Sequence, residues 1–217
     1  MTEKDTSSLE ALNEIRDMMK KSSRFISLSG LSGVSAGVFA LIGALAAYVK
    51  MSFSWEVPAE YGYESKGVSR HYFEINDFIV FCLYDAVFVI GGALIFAFFF
   101  TYRKSRKMGQ SIWDETARRM IISLMIPLCT GGVFCLALLY HQVYGLIAPA
   151  MLVFYGLSLL NGAKYTVHDI HILGYTEIVL GMVCAFLPGY GLLFWAVGFG
   201  IFHVIYGIFM YWKYERK

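Results

Sequence analysis

The 217-residue sequence is short of charge, with only 16% of its residues Asp, Glu, Lys or Arg, against about a quarter in soluble domains. A soluble fold of this size could not cover its apolar residues with so little polar surface. Soluble enzymes, disordered tails and nucleic-acid binders are disfavoured together. Cysteine is also scarce. The four present (Cys82, Cys129, Cys135, Cys184) lie in apolar runs without a CxxC pair, which argues against a disulfide framework or a cysteine zinc site. Neither a phosphate-binding glycine loop, an HExxH string nor an internal repeat stands out. The net charge of +2 says nothing about partners.

What is abundant is apolar sequence: 58% of the residues are hydrophobic and the mean hydropathy is +0.58. A bilayer span needs about 20 predominantly apolar residues. Six segments read as spans: Phe25 to Val49, Phe78 to Tyr102, Met120 to Tyr140, Leu146 to Gly162, Ile172 to Leu187 and Gly191 to Trp212. The fourth and fifth are short. Polar loops are expected around Lys50 to Tyr72 and Arg103 to Arg119, with tight turns at His141 to Gly145 and Pro188 to Gly189. The expected fold is an all-α integral membrane protein, a six-transmembrane-helix bundle over residues 25–217. Residues 1–24 precede it as a short cytoplasmic amphipathic helix, with Ser7 and Glu10 at capping-box spacing and Leu9, Leu12, Ile15 and Met19 on one side. The competing reading of the first run is a secretory signal peptide cleaved near Ala44-Leu45-Ala46. The run is long for that role, and 24 mostly polar residues precede it.

Cations set the expected orientation. With the N-terminus in the cytoplasm, 15 of the 18 basic residues fall inside, and only Lys50, Lys66 and Arg70 fall outside. The positive-inside rule then places both termini in the cytoplasm. Short loops and the lack of extra domains suggest a bacterial inner membrane. The basic Arg103 to Arg119 loop suits anionic lipid headgroups and not nucleic acid.

Small residues mark the helix contacts, because helices in lipid gain little from hydrophobicity and pack where backbones can approach. In the first span Ser29, Ser32, Gly33, Ala36, Ala40, Gly43 and Ala47 share one side, and in the sixth Ala196, Gly200, His203 and Gly207 do so. His203 therefore points at protein or a cavity. In the second span Glu74, Asp77 and Asp85 fall within about 80° of one another. Ionisable groups within a bilayer are costly and face the bundle interior, a cavity or a partner. Glu74 and Asp77 are near the outer interface, and Asp85 is deeper. Folding the fifth and sixth spans about Pro188 and Gly189 brings Glu177 level with His203 near mid-membrane, where a shared proton or charge pairing lowers the burial cost.

Other constellations carry less. His71 and Glu74 with His141 could hold a zinc ion at the outer face, and His168 with His171 resembles half a metal site at the inner face. Haem ligation would fall to His203 alone. Zinc and haem are thus the cofactors to consider, although the sequence clearly indicates neither. Gly33-Val34-Ser35-Ala36-Gly37 fits the hydrolase string GxSxG but lies inside a helix without the strand that a nucleophile elbow requires. Gly30-Leu31-Ser32-Gly33 is similar to the GxSG of rhomboid intramembrane proteases, which carry it on the fourth core span. Four common residues on the first span assign no family.

The leading expectation is a transporter or channel-like protein for a proton, cation or small solute. Glu74 and Asp77 form its rim, Asp85 is an outer acceptor, and Glu177 with His203 is the central relay. The alternatives are a membrane-embedded metal- or cofactor-binding enzyme and a membrane sensor or assembly subunit. Beyond lipid and the solute or ion, the partners to consider are a second copy of the chain and a cytoplasmic protein bound by the N-terminal helix.

Overall fold

The computed structural model describes residues 29–55, 67–109, 113–167 and 169–216, and the side chains of all of these except 53–55 and 67–76. The amphipathic helix expected in residues 1–24 lies outside the described residues, as do His168 and the side chains of His71 and Glu74. All regular elements among the described residues are helices. Helix α1 is Gly30–Trp55, α2 Gly67–Lys107, α3 Glu115–Tyr140, α4 Ile147–Gly162 and α5 Ile170–Ala185. The last, α6 (Gly191–Tyr214), is not uniform: an α-helical turn Gly191–Trp195 leads into a π-helical segment Ala196–Phe202 and then an α-helix His203–Tyr214. Five of the six are long and apolar enough to cross a membrane, while α5 has only 16 residues. The described residues are all-helical, as in an integral multi-pass membrane protein.

Helix α2 departs most from the sequence expectation, since it covers 41 residues and takes in stretches read as parts of the flanking loops. Its end carries Lys104, Arg106 and Lys107. Lys and Arg are good helix formers and favour the negative end of the helix dipole, so the helix continues beyond the apolar run. Helix α3 starts where the Asp114 side chain accepts from the Ala117 N–H at 2.6 Å. Both tight turns form as expected. One has Gln142 at φ 61°, and the other has Gly189 at φ 94°, a conformation that favours glycine.

The six helices alternate in direction. One end of the bundle, here the terminal end, carries Ser29 and Glu215, and the other carries the α5–α6 turn. Helix α1 lies between α2 and α6, α4 packs on α3, α5 and α6, and α2 packs mainly on α1. Missing side chains allow these approaches. A Cβ on Gly37 would lie 2.7 Å from the Gly200 carbonyl, and one on Gly207 would lie 2.5 Å from the Val34 nitrogen, so α1 and α6 touch backbone to backbone. Gly156 similarly faces the Gly174 carbonyl across α4 and α5. The expected small-residue stripe of α1 is largely the buried face, with Ser29, Ser32, Ala40, Gly43 and Ala47 all buried.

Two polar clasps close the terminal end. The Glu215 carboxylate, just past α6, accepts from the Ser29 hydroxyl at 3.1 Å and from the Gly30 N–H at 2.5 Å, and it lies 3.5 Å from Nζ of Lys104 on α2. An anion at the positive end of α1 thereby joins α1, α2 and α6. At the start of α5, Asp169 Oδ2 accepts from Lys213 at 2.6 Å and from the Tyr214 hydroxyl at 2.9 Å, which ties α5 to α6. Asp169 therefore has a structural role here.

Candidate functional site

A buried polar group lies where α4, α5 and α6 meet, about halfway along α6. Glu177 of α5 is 0% exposed and His203 of α6 is 6% exposed, so neither reaches solvent or lipid. The expected pairing of their helices is realised, with His203 Nδ1 3.6 Å from Glu177 Oε1. That is ion-pair range and longer than a hydrogen bond.

The imidazole makes its hydrogen bonds elsewhere. Nδ1 lies 3.0 Å from the carbonyl of Gly198, and Nε2 lies 2.7 Å from the Tyr155 hydroxyl of α4. A carbonyl can only accept, so Nδ1 carries a proton, and in the neutral ring Nε2 accepts from Tyr155. The π-helical segment contributes to this geometry. The His203 backbone N–H donates to Gly200, while its side chain turns back five residues to Gly198. π-Helical turns inside α-helices are frequent at functional sites.

Glu177 is different. Neither of its carboxyl oxygens has a hydrogen-bond partner among the described residues. It lies against Gly198, whose Cβ would stand 2.5 Å from both Glu177 Oε2 and Leu152 Cδ2. A carboxyl so placed has given up hydration without replacing it, which costs several kcal/mol per charged group. An aliphatic side chain would fill the same space.

The other sequence candidates fall elsewhere. Asp85 packs across from Gly43 at the α1–α2 contact, where a Cβ on Gly43 would lie 2.8 Å from its Oδ2. The structure thus does not bring it to Glu177 and His203. Asp77 is exposed near the opposite end of α2 from Lys104. His141 is exposed at the end of α3, edge-on to Tyr140, and His171 is half-buried at the start of α5. Among the described residues no three His, Cys, Asp or Glu side chains converge on a metal position. Both ring nitrogens of His203 are engaged, so binding haem iron would require breaking one of its hydrogen bonds. The serine strings serve the helix: Ser32 donates to the Ser29 carbonyl and Ser35 to that of Ser32, while His203 faces Tyr155.

Sequence reading missed Tyr155 and Gly198. The signal for Tyr155 was available, because it and Glu177 are equidistant along the chain from Thr166 in the α4–α5 turn, and a hairpin there puts them level. Gly198 gave no comparable signal. A glycine that makes room for a carboxyl looks the same in sequence as one that makes room for a helix. The chain matches no protein-family model, no curated protein and no solved structure.

Proposed function

We propose that the chain is a transporter or channel-like protein that moves a proton, a proton-coupled cation or a small solute, with Glu177, His203 and Tyr155 as its protonatable centre. The observation that carries this reading is the Glu177 carboxyl, fully buried and without a hydrogen-bond partner among the described residues. Ionisable residues within a membrane are costly, and they mark substrate, ion and proton pathways.

The neighbouring groups suit proton exchange. His203 lies between a hydroxyl on Nε2 and a carboxyl near Nδ1. A proton accepted at Nε2 makes an imidazolium, which can release the Nδ1 proton to Glu177. The resulting tautomer sets the Nδ1 lone pair against the Gly198 carbonyl. That repulsion makes the new tautomer less favourable than the starting one, in which Nδ1 donates to the carbonyl.

The topology goes with this reading. All six helices cross the membrane, α5 being extended by its flanking turns, and the terminal end faces the cytoplasm. The membrane is the bacterial inner membrane, and the cation distribution supports the orientation. Asp85 and Asp77 form a separate acidic position on α2 that meets solutes outside the centre. Reconstituted vesicles with a pH-sensitive dye inside test the proposal. Protein-dependent proton flux, alone or driven by a cation or solute gradient, is expected, and its absence under every gradient refutes the reading.

A further inference from the structure

The donors around Glu177 decide what its carboxyl can bind. Both carboxyl oxygens are buried without a hydrogen-bond partner among the described residues. His203 stands beside them, with Nδ1 3.6 Å from Oε1. Neither of its nitrogens is free to ligate a cation there, because Nδ1 carries a proton that it donates to the Gly198 carbonyl and Nε2 meets the Tyr155 hydroxyl. The Gly198 carbonyl already accepts that hydrogen bond. On the side of Oε2 the helices are in close contact. A Cβ on Gly198 would lie 2.5 Å from Oε2 and 2.5 Å from Leu152 Cδ2, so even a methyl group has no room at that point. Among the described residues no third His, Cys, Asp or Glu joins Glu177 and His203 to complete a metal site.

A metal cation needs far more than this. Calcium takes about 6–8 oxygen ligands, magnesium a near-octahedral set of about six, and zinc about four ligands. Alkali cations give up their water to rings of several carbonyls. Glu177 offers one carboxyl set against Leu152, a protonated nitrogen and a carbonyl already in use, so a cation there would lose its hydration without replacing it. A proton takes one lone pair, needs no added volume and removes the charge that the site cannot solvate. We propose that the ligand of the Glu177 centre is the proton itself and that metal cations are excluded from it. This rests on the reading of Glu177 and His203 as a protonatable centre and narrows what that centre carries: any metal cation that the protein moves does not touch this carboxyl. In the loading step one O–H bond forms at Glu177 as the N–H bond at Nδ1 of the imidazolium breaks. The second imidazolium proton stays on Nε2, and no electrons are exchanged.

The test is an infrared pH titration of the Glu177 carboxyl band in the full chain. The band is identified as the one lost in Glu177→Gln and shifted in Glu177→Asp, so the assignment survives if one variant fails to fold. Titrations are run in sodium, potassium, magnesium and calcium chloride, each at two concentrations about tenfold apart, with choline chloride holding the ionic strength constant so that general screening does not change. The band is expected to titrate with the same midpoint in every salt. A cation that competed for the carboxyl would lower the midpoint by about one pH unit for each tenfold rise in its concentration. Such a shift overturns the proposal, and if flux of that cation in vesicles is also lost in Glu177→Gln, the transport reading stands without it. A band that does not titrate in any salt overturns the proposal as well. A band that titrates identically in all of them, from a protein whose vesicles carry no flux, supports the proton as ligand and refutes transport.

Discussion

The side chain of Glu177 occupies space that a Cβ on Gly198 would need: such a Cβ would lie 2.5 Å from Oε2. The carboxyl and the glycine belong to different helices, α5 and α6, so the absence of one side chain makes room for the other. Gly198→Ala is expected to displace Glu177 and to destabilise the protein by about 1–3 kcal/mol, the usual cost of overpacking. Gly132→Ala on α3 is the control. No atom lies near its would-be Cβ, and a helix-interior glycine replaced by alanine gains about 0.5–1 kcal/mol. Thermal unfolding in detergent of both variants checks the opposite signs.

Removing the carboxyl outright is expected to stabilise the fold. Glu177→Met keeps much of the volume and removes two unpartnered polar atoms, so a gain of about 1–3 kcal/mol is expected, as when hydrophobic residues replace other buried ionic groups. Flux is expected to disappear in the same variant. A higher melting temperature together with lost transport would mark Glu177 as kept for function at a cost in stability.

Tyr155 and His203 are expected to act as a pair. In the parent protein, nitrogen NMR of labelled histidine is expected to show the His203 proton on Nδ1, since the Gly198 carbonyl can only accept. Tyr155→Phe strips the donor from a buried Nε2 and is expected to cost about 1–3 kcal/mol. In a double-mutant cycle with His203→Leu, a coupling of about 0.5–3 kcal/mol is expected. Purely additive effects would mean that the 2.7 Å contact contributes nothing.

The clasp at the terminal end makes a separate claim. Glu215→Gln removes the charge from the N-terminus of α1 and from Lys104, and a loss of about 1 kcal/mol is expected from the helix-end charge. Combining it with Lys104→Met is expected to be less than additive. The buried centre is distant from this clasp, so the His203 tautomer is expected to be unchanged in the same NMR spectrum.

Much of the helical framework was legible in the sequence because apolar run length and small-residue periodicity are local signals. Gly33, Ala40 and Gly43 marked the contact face of α1 before any neighbour was known, and folding about Pro188 and Gly189 was enough to bring Glu177 to His203. The extent of α2 was not legible. Hydropathy records where lipid stops, whereas a helix continues as long as residues such as Arg103 to Lys107 favour it. The acids of the second span showed the limit of periodicity. It put Asp85 on the same side of its helix as Asp77 but could not say that this side meets Gly43 of α1 and not the centre. The π-helical turn and the Glu215 clasp depend on contacts between residues distant in sequence, which no single-helix pattern encodes.

Proton flux into vesicles bearing the parent protein and Glu177→Gln, at matched incorporation and with intact folding, bears most directly on the central claim. The parent is expected to carry flux above empty vesicles, and Glu177→Gln, which keeps the shape but cannot take up a proton, is expected to fall to the background. Equal flux through both proteins would contradict the account, because the buried carboxyl would then be a passenger in the fold.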